Sequence, residues 1–82
     1  MGHEHSIKRF GEKLRILRQS HKMTLKQMAQ ALGHTAHGHI SELESGRKLP
    51  TAEFVLKTAY FFNVTTDELL KDEIELHHHT EN

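Results

Sequence analysis

The sequence predicts an all-α fold, a compact five-helix bundle, and three observations carry that expectation. Apolar residues recur at spacings of three and four in five short segments. Two of those segments are preceded by Thr-x-x-Gln or Thr-x-x-Glu, the pattern that closes the first turn of a helix. No segment alternates apolar and polar residues for long enough to form a strand.

In the first segment Ile7, Phe10, Leu14 and Leu17 form the inward stripe, and Lys8, Arg9, Lys13, Arg15 and Arg18 occupy the remaining faces. The second begins at Thr24, which makes a capping box with Gln27 while Met23 and Met28 stand at the two positions of a hydrophobic staple. Leu25, Met28, Ala29 and Leu32 then point inward, and Gly33 ends the helix. The third has Thr35 as its cap, Ala36, Ile40 and Leu43 as its stripe, and Gly46 as its stop.

Pro50 and Thr51 open the fourth helix, in which Ala52, Val55, Leu56, Ala59 and Phe62 have the cleanest helical periodicity of the chain. Thr65 with Glu68 forms a second capping box at the start of the fifth, and Val64 with Leu69 a second staple. The expected organisation is a flexible arm over residues 1–6, one domain over 7–72 and a loose tail over 73–82.

With 82 residues the chain holds one small domain and not a two-domain enzyme. The absence of cysteine excludes a disulfide framework and thiolate metal sites. No apolar run approaches the roughly 18 residues that span a bilayer, and the first residues have no apolar core like that of a secretory signal, so no membrane contact and a cytoplasmic address are expected. The formal charge is zero, yet residues 1–48 carry nine Lys/Arg against four Asp/Glu, while residues 49–82 carry two against seven. Such a charge dipole suits a basic surface facing a polyanion, with an acidic end turned away from it.

Between Met23 and Pro50 the chain reads as a helix, a glycine turn and a short second helix, a helix-turn-helix arrangement. Here the sequence resembles the lambda-repressor-like, Xre/Cro-type family of DNA-binding domains. The features that carry the likeness are Met28-Ala29, Gly33, Ile40-Ser41, Leu43-Glu44 followed by Gly46, basic Arg47 and Lys48, and Pro50, and the likeness extends over roughly residues 7–71. Two departures stand out: Leu25 occupies the place where the family often carries a phosphate-binding Gln, and six residues separate Gly33 from Ile40, one more than usual.

The resemblance implies that the third helix enters the major groove of double-stranded DNA and reads bases with Ala36, His37, Gly38, His39, Ser41 and Glu42. An imidazole would donate to guanine, Ser41 would bond several base edges, Glu42 would accept from cytosine N4, and the Ala36 methyl would meet a thymine methyl. Gly38 implies either close approach to DNA or tight helix packing. Lys22, Lys26, Arg47 and Lys48, with the hydroxyls of Thr24, Thr35 and Ser45, are the expected phosphate contacts. Arg18 and Glu44 occupy the positions of a structural ion pair common in the family.

Nine histidines include a cluster of His34, His37 and His39, but His37 and His39 diverge on a helix and lack sulfur partners, so no metal and no cofactor are expected. Imidazolium near phosphate would instead make DNA binding pH-dependent, and solvated filler is the plainest reading. Phe54, Tyr60 and Phe61 remain over after the core stripe of the fourth helix, and with Leu70 and Ile74 they are the expected surface of a homodimer. The expectation is a DNA-binding transcriptional regulator, a repressor of a palindromic operator, with no small-molecule ligand domain and no catalytic residues. The alternative is a protein-interaction module, antitoxin-like or an adaptor, that keeps the fold.

Overall fold

A computed structural model describes residues 7–33 and 37–76, with the side chain of His37 left out. It contains five helices, α1 (Phe10–Ser20), α2 (Leu25–Ala31), α3 (His37–Ser45), α4 (Ala52–Phe62) and α5 (Thr66–Leu70), and no strand among the described residues. One core joins all of them, built around Phe10, Leu14, Leu17, Met28, Leu32, Ile40, Leu43, Phe54, Phe62 and Leu69.

α1 starts at Phe10, because Ile7 to Arg9 form a turn closed by Phe10 N donating to Ile7 O at 3.3 Å. Arg9 makes no side-chain cap of its own. The carboxylate of Asp72 accepts from Lys8 N at 3.1 Å and from Arg9 N at 2.9 Å, so the helix is capped from the far end of the chain.

α2 has the predicted capping box: Thr24 Oγ1 accepts from Gln27 N at 3.0 Å, and Gln27 Oε1 accepts from Thr24 N at 2.8 Å. Met23 is partly buried against the core to which buried Met28 belongs. Gly33 and Gly46, which follow α2 and α3, have φ of +78° and +84°, the left-handed backbone that ends a helix and that a side chain opposes. α5 repeats the capping box with Thr65 and Glu68, at 2.9 and 2.8 Å. Five residues do not hold a helix alone, and burial of Leu69 supplies what propensity lacks.

Two expectations are corrected. In α4 the inward face is Phe54, Val55, Thr58, Ala59 and Phe62, while Ala52 and Leu56 are exposed. Val55, Ala59 and Phe62 fit either registration; Phe54 wins over Leu56 because its ring meets Phe10 edge to face at 6.3 Å. Thr58 is tolerated inside because its Oγ1 donates to Phe54 O at 2.8 Å. Phe54 is therefore a core residue and not part of a dimer surface.

The second correction is Lys13, expected on a solvated face and found fully buried. Its Nζ donates to Glu68 O, Lys71 O and Ile74 O at 2.6, 2.8 and 2.6 Å, which satisfies all three ammonium protons. Burial pulls its pKa below the ordinary lysine value. Residues 73–76, expected in the tail, share this junction. Glu75 takes Arg9 through two hydrogen bonds of 2.8 and 3.0 Å, which hold its pKa below the usual carboxylate value, and Leu76 packs on the core.

Candidate nucleic-acid interface

α3 is a weakly amphipathic nine-residue helix, so its position depends on what grips it. Ile40 and Leu43 are fully buried, as expected. Beside them Glu44 is gripped twice. Its carboxylate accepts from Arg18 Nε at 2.6 Å and Nη2 at 3.2 Å, and Arg15 Nε stands 3.5 Å away. Its backbone oxygen lies against Gly11 of α1, where a methyl group would sit 2.5 Å from the carbonyl oxygens of both Leu43 and Glu44. Arg18 also donates to Met23 O at 3.0 Å, which ties the turn before α2 to the same pair. The expected Arg18–Glu44 bridge is thus present, while the Gly11 contact was not anticipated. A glycine inside a helix, where alanine is favoured by roughly 0.5 to 1 kcal/mol, was its signal.

With residues 40, 43 and 44 turned inward, the opposite face of α3 presents Gly38, Ser41, Glu42 and Ser45. No described atom lies within 4 Å of a methyl group placed on Gly38, so tight packing within the described residues does not explain this glycine. His39 is half-buried, with its ring edge to face with Phe54 at 6.3 Å, and is thereby directed toward α4. Ala36 and Thr35 lie outside the described residues, as does the side chain of His37.

At the end of α3 the predicted groups come together. Glu42 O accepts from Ser45 Oγ at 3.1 Å, from Arg47 N at 2.9 Å and from Lys48 N at 3.3 Å. Arg47 Nε donates to Ser45 Oγ at 3.3 Å, and Lys48 Nζ stands 3.5 Å from Glu42 Oε1. Lys22 and Lys26 are exposed on either side of Thr24, whose hydroxyl oxygen is the α2 cap. Lys22 adopts a left-handed φ of 55°, which turns the chain out of α1 toward α2.

Of the expected dimer residues, Tyr60 and Phe61 are exposed, at 79% and 48%, and Leu56 joins them at 46%. Leu70 and Ile74 are half-buried, Leu70 against the core. Among histidines, His21 ends α1 with Nδ1 3.0 Å from Leu17 O and its ring edge to face with Phe62 at 4.8 Å, whereas His34 lies outside the described residues. No group of three metal-ligating side chains occurs among the described residues, and none of the described helices is long and apolar enough to cross a membrane.

Comparison with known proteins agrees with this fold. A family profile described as a helix-turn-helix domain matches residues 11–74. The HTH-type transcriptional activator BcrR of Enterococcus faecalis is 41% identical over 64 residues, which are 78% of this chain and 31% of that protein, so the chain spans less than a third of that relative's length. Among solved structures, the N-terminal DNA binding domain of SinR from Bacillus subtilis matches with a TM-score of 0.72 at 22% identity over 83% of this chain and 99% of that one. The P22 c2 repressor protein, solved in complex with a synthetic operator, matches with a TM-score of 0.71 at 25% identity over 78% of this chain and 96% of that one.

Proposed function

The chain belongs to the helix-turn-helix domain family, of the lambda-repressor-like kind, and from that premise we propose that it is a cytoplasmic, sequence-specific DNA-binding transcriptional regulator. The single observation that carries the reading is the outward face of α3. Gly38, Ser41, Glu42 and Ser45 look away from the core on a helix fixed by Arg18–Glu44 and Gly11, and the exposed cations Arg47 and Lys48 follow directly.

In this reading α3 lies in the major groove. The Glu42 carboxylate accepts from a cytosine amino group, the Ser41 hydroxyl bonds a neighbouring base edge, and Gly38 lets the helix backbone approach. Ala36 and His37 extend the reading set toward the start of the helix. Lys22, Lys26 and Arg47, together with the hydroxyls of Thr24, Thr35 and Ser45, bind phosphates and fix the register. The acidic end around α5 faces away from the DNA.

A second copy joined through Tyr60 and Phe61, with the half-buried Leu70 and Ile74 at the margin, places two reading helices about 34 to 36 Å apart on a palindromic operator. Where that operator overlaps a promoter, its occupation excludes polymerase and the protein acts as a repressor. The P22 c2 protein is named a repressor and BcrR an activator, and the position of the operator relative to the promoter decides between the two signs.

The test is selection of bound duplexes from a random library at about 150 mM salt, where non-specific attraction is weakened. Enrichment of a palindrome is expected. Absence of any enriched sequence would overturn the reading in favour of a protein partner.

A further inference from the structure

The basic residues after α3 were expected to serve DNA phosphates alike, but Lys48 is placed differently from the others. Its ammonium faces Glu42 Oε1 at 3.5 Å, six positions earlier in the chain. The i,i+3 and i,i+4 spacings of a helix do not bring such residues together. The left-handed turn at Gly46 does, by folding the chain back so that Arg47 N and Lys48 N both donate to Glu42 O, at 2.9 and 3.3 Å. Ser45 Oγ donates to the same oxygen at 3.1 Å, and Arg47 Nε in turn donates to Ser45 Oγ at 3.3 Å. The Glu42 backbone is therefore the anchor of the whole turn, and the ion pair sits on a connection already stitched by three hydrogen bonds.

We infer that Lys48 is a positioning residue that sets the orientation of the Glu42 carboxylate for base reading, and so governs sequence preference rather than general affinity for phosphate. The inference rests on the DNA-reading function proposed above. A carboxylate brought into the major groove is repelled by flanking phosphates, and it is useful there only as an acceptor from cytosine N4. A cation held behind it offsets that repulsion and restricts its rotamers before DNA arrives, which is preorganisation. Lys48 reaches Glu42 from the loop, while Glu42 lies on the outward face of α3, so the pair presents its acceptor to the groove and keeps its cation on the loop side. Both side chains are about half exposed, at 55% and 42%, so removing either leaves the core untouched.

The experiment repeats the duplex selection with the wild-type protein and with Glu42→Gln and Lys48→Met, each confirmed folded by its thermal melt, and adds the salt dependence of binding to the selected duplex. The wild type is expected to prefer cytosine at one position of each half-site by roughly tenfold, the scale of a good base contact. Glu42→Gln replaces that preference with another base, adenine being the usual partner of Gln. Lys48→Met reduces the cytosine preference at the same position to within about twofold, leaves the other positions as they were, and leaves the salt slope within a few tenths of the wild-type value.

If Lys48→Met instead weakens all sequences equally and lowers the salt slope by about one, Lys48 is a plain phosphate contact and the inference is overturned. It is overturned equally if Glu42→Gln changes no preference while the wild type shows one. A wild-type protein that enriches no sequence would overturn the DNA-reading function itself, so the two failures are distinguishable.

Discussion

The guanidinium of Arg18 holds the carboxylate of Glu44 through two hydrogen bonds, Nε to Oε2 at 2.6 Å and Nη2 to Oε1 at 3.2 Å, across the contact between α1 and α3. Both side chains are largely withdrawn from water, at 16% and 3% exposure. Glu44→Ala leaves Arg18 without its partner and is expected to destabilise the fold by about 3 to 5 kcal/mol. Urea unfolding of the variant checks this, and a midpoint equal to the wild type would contradict it.

Two glycines separate packing from recognition. Gly11→Ala drives a methyl group to 2.5 Å from two backbone oxygens and forces α1 and α3 apart, a loss of about 2 to 3 kcal/mol. Gly38→Ala meets nothing among the described residues and replaces a poor helix former, so stability rises by about 0.5 kcal/mol. On the proposed approach of Gly38 to the major groove, DNA affinity is expected to fall in the same variant, because the methyl group would occupy that space. Thermal melts are expected to fall for Gly11→Ala and rise for Gly38→Ala, while a DNA titration is expected to show weaker binding by Gly38→Ala.

Lys13 yields a prediction about pH. Burial lowers its folded pKa, while the unfolded chain keeps a value near 10.4. Between those two values the unfolded state binds more protons, so this group makes stability rise with pH across the window and contributes no slope below it. Lys13→Met removes the rise and strands three carbonyls, at a cost of about 2 to 3 kcal/mol near neutral pH. The difference in unfolding free energy between wild type and variant is therefore expected to grow as pH rises from the lowered folded value toward the ordinary lysine value. A constant difference would rule out the titration of Lys13. Glu75 has the opposite sense: its lowered pKa gives a contribution that is present above the ordinary carboxylate value and fades as pH falls through the folded one.

The aromatics of α4 divide in the same way. Phe54→Ala empties the centre of the core and costs about 3 to 5 kcal/mol. Phe61→Asp, on the exposed face with Tyr60, leaves the melting temperature within a few degrees and is expected to abolish the proposed dimer in sedimentation. A monomeric wild type would overturn the dimer.

What the sequence made legible was what local chemistry decides. The capping boxes at Thr24 and Thr65, the stops at Gly33 and Gly46, and the inward Ile40 and Leu43 all follow from spacing and residue type. Arg18 and Glu44 were paired through resemblance, and the structure joins them. Long-range chemistry stayed hidden. A lysine at position 13 looks solvated until three carbonyls 55 to 61 residues away converge on it. Phe54 and Leu56 compete evenly for the core of α4 until Phe10 is placed opposite. Glu42 and Lys48 meet only through a turn whose path no helical spacing describes.

The central claim is that the face of α3 and the turn after it carry the DNA. Its most direct test is the movement of backbone amide signals when a short DNA duplex is added to isotopically labelled protein at about 50 mM salt, where non-specific contacts also bind. The account predicts that the largest shifts fall on residues 37–48 and 22–26, with α5 and residues 71–76 unmoved. Shifts concentrated on the face of Leu56, Tyr60 and Phe61, or none at all, would contradict it.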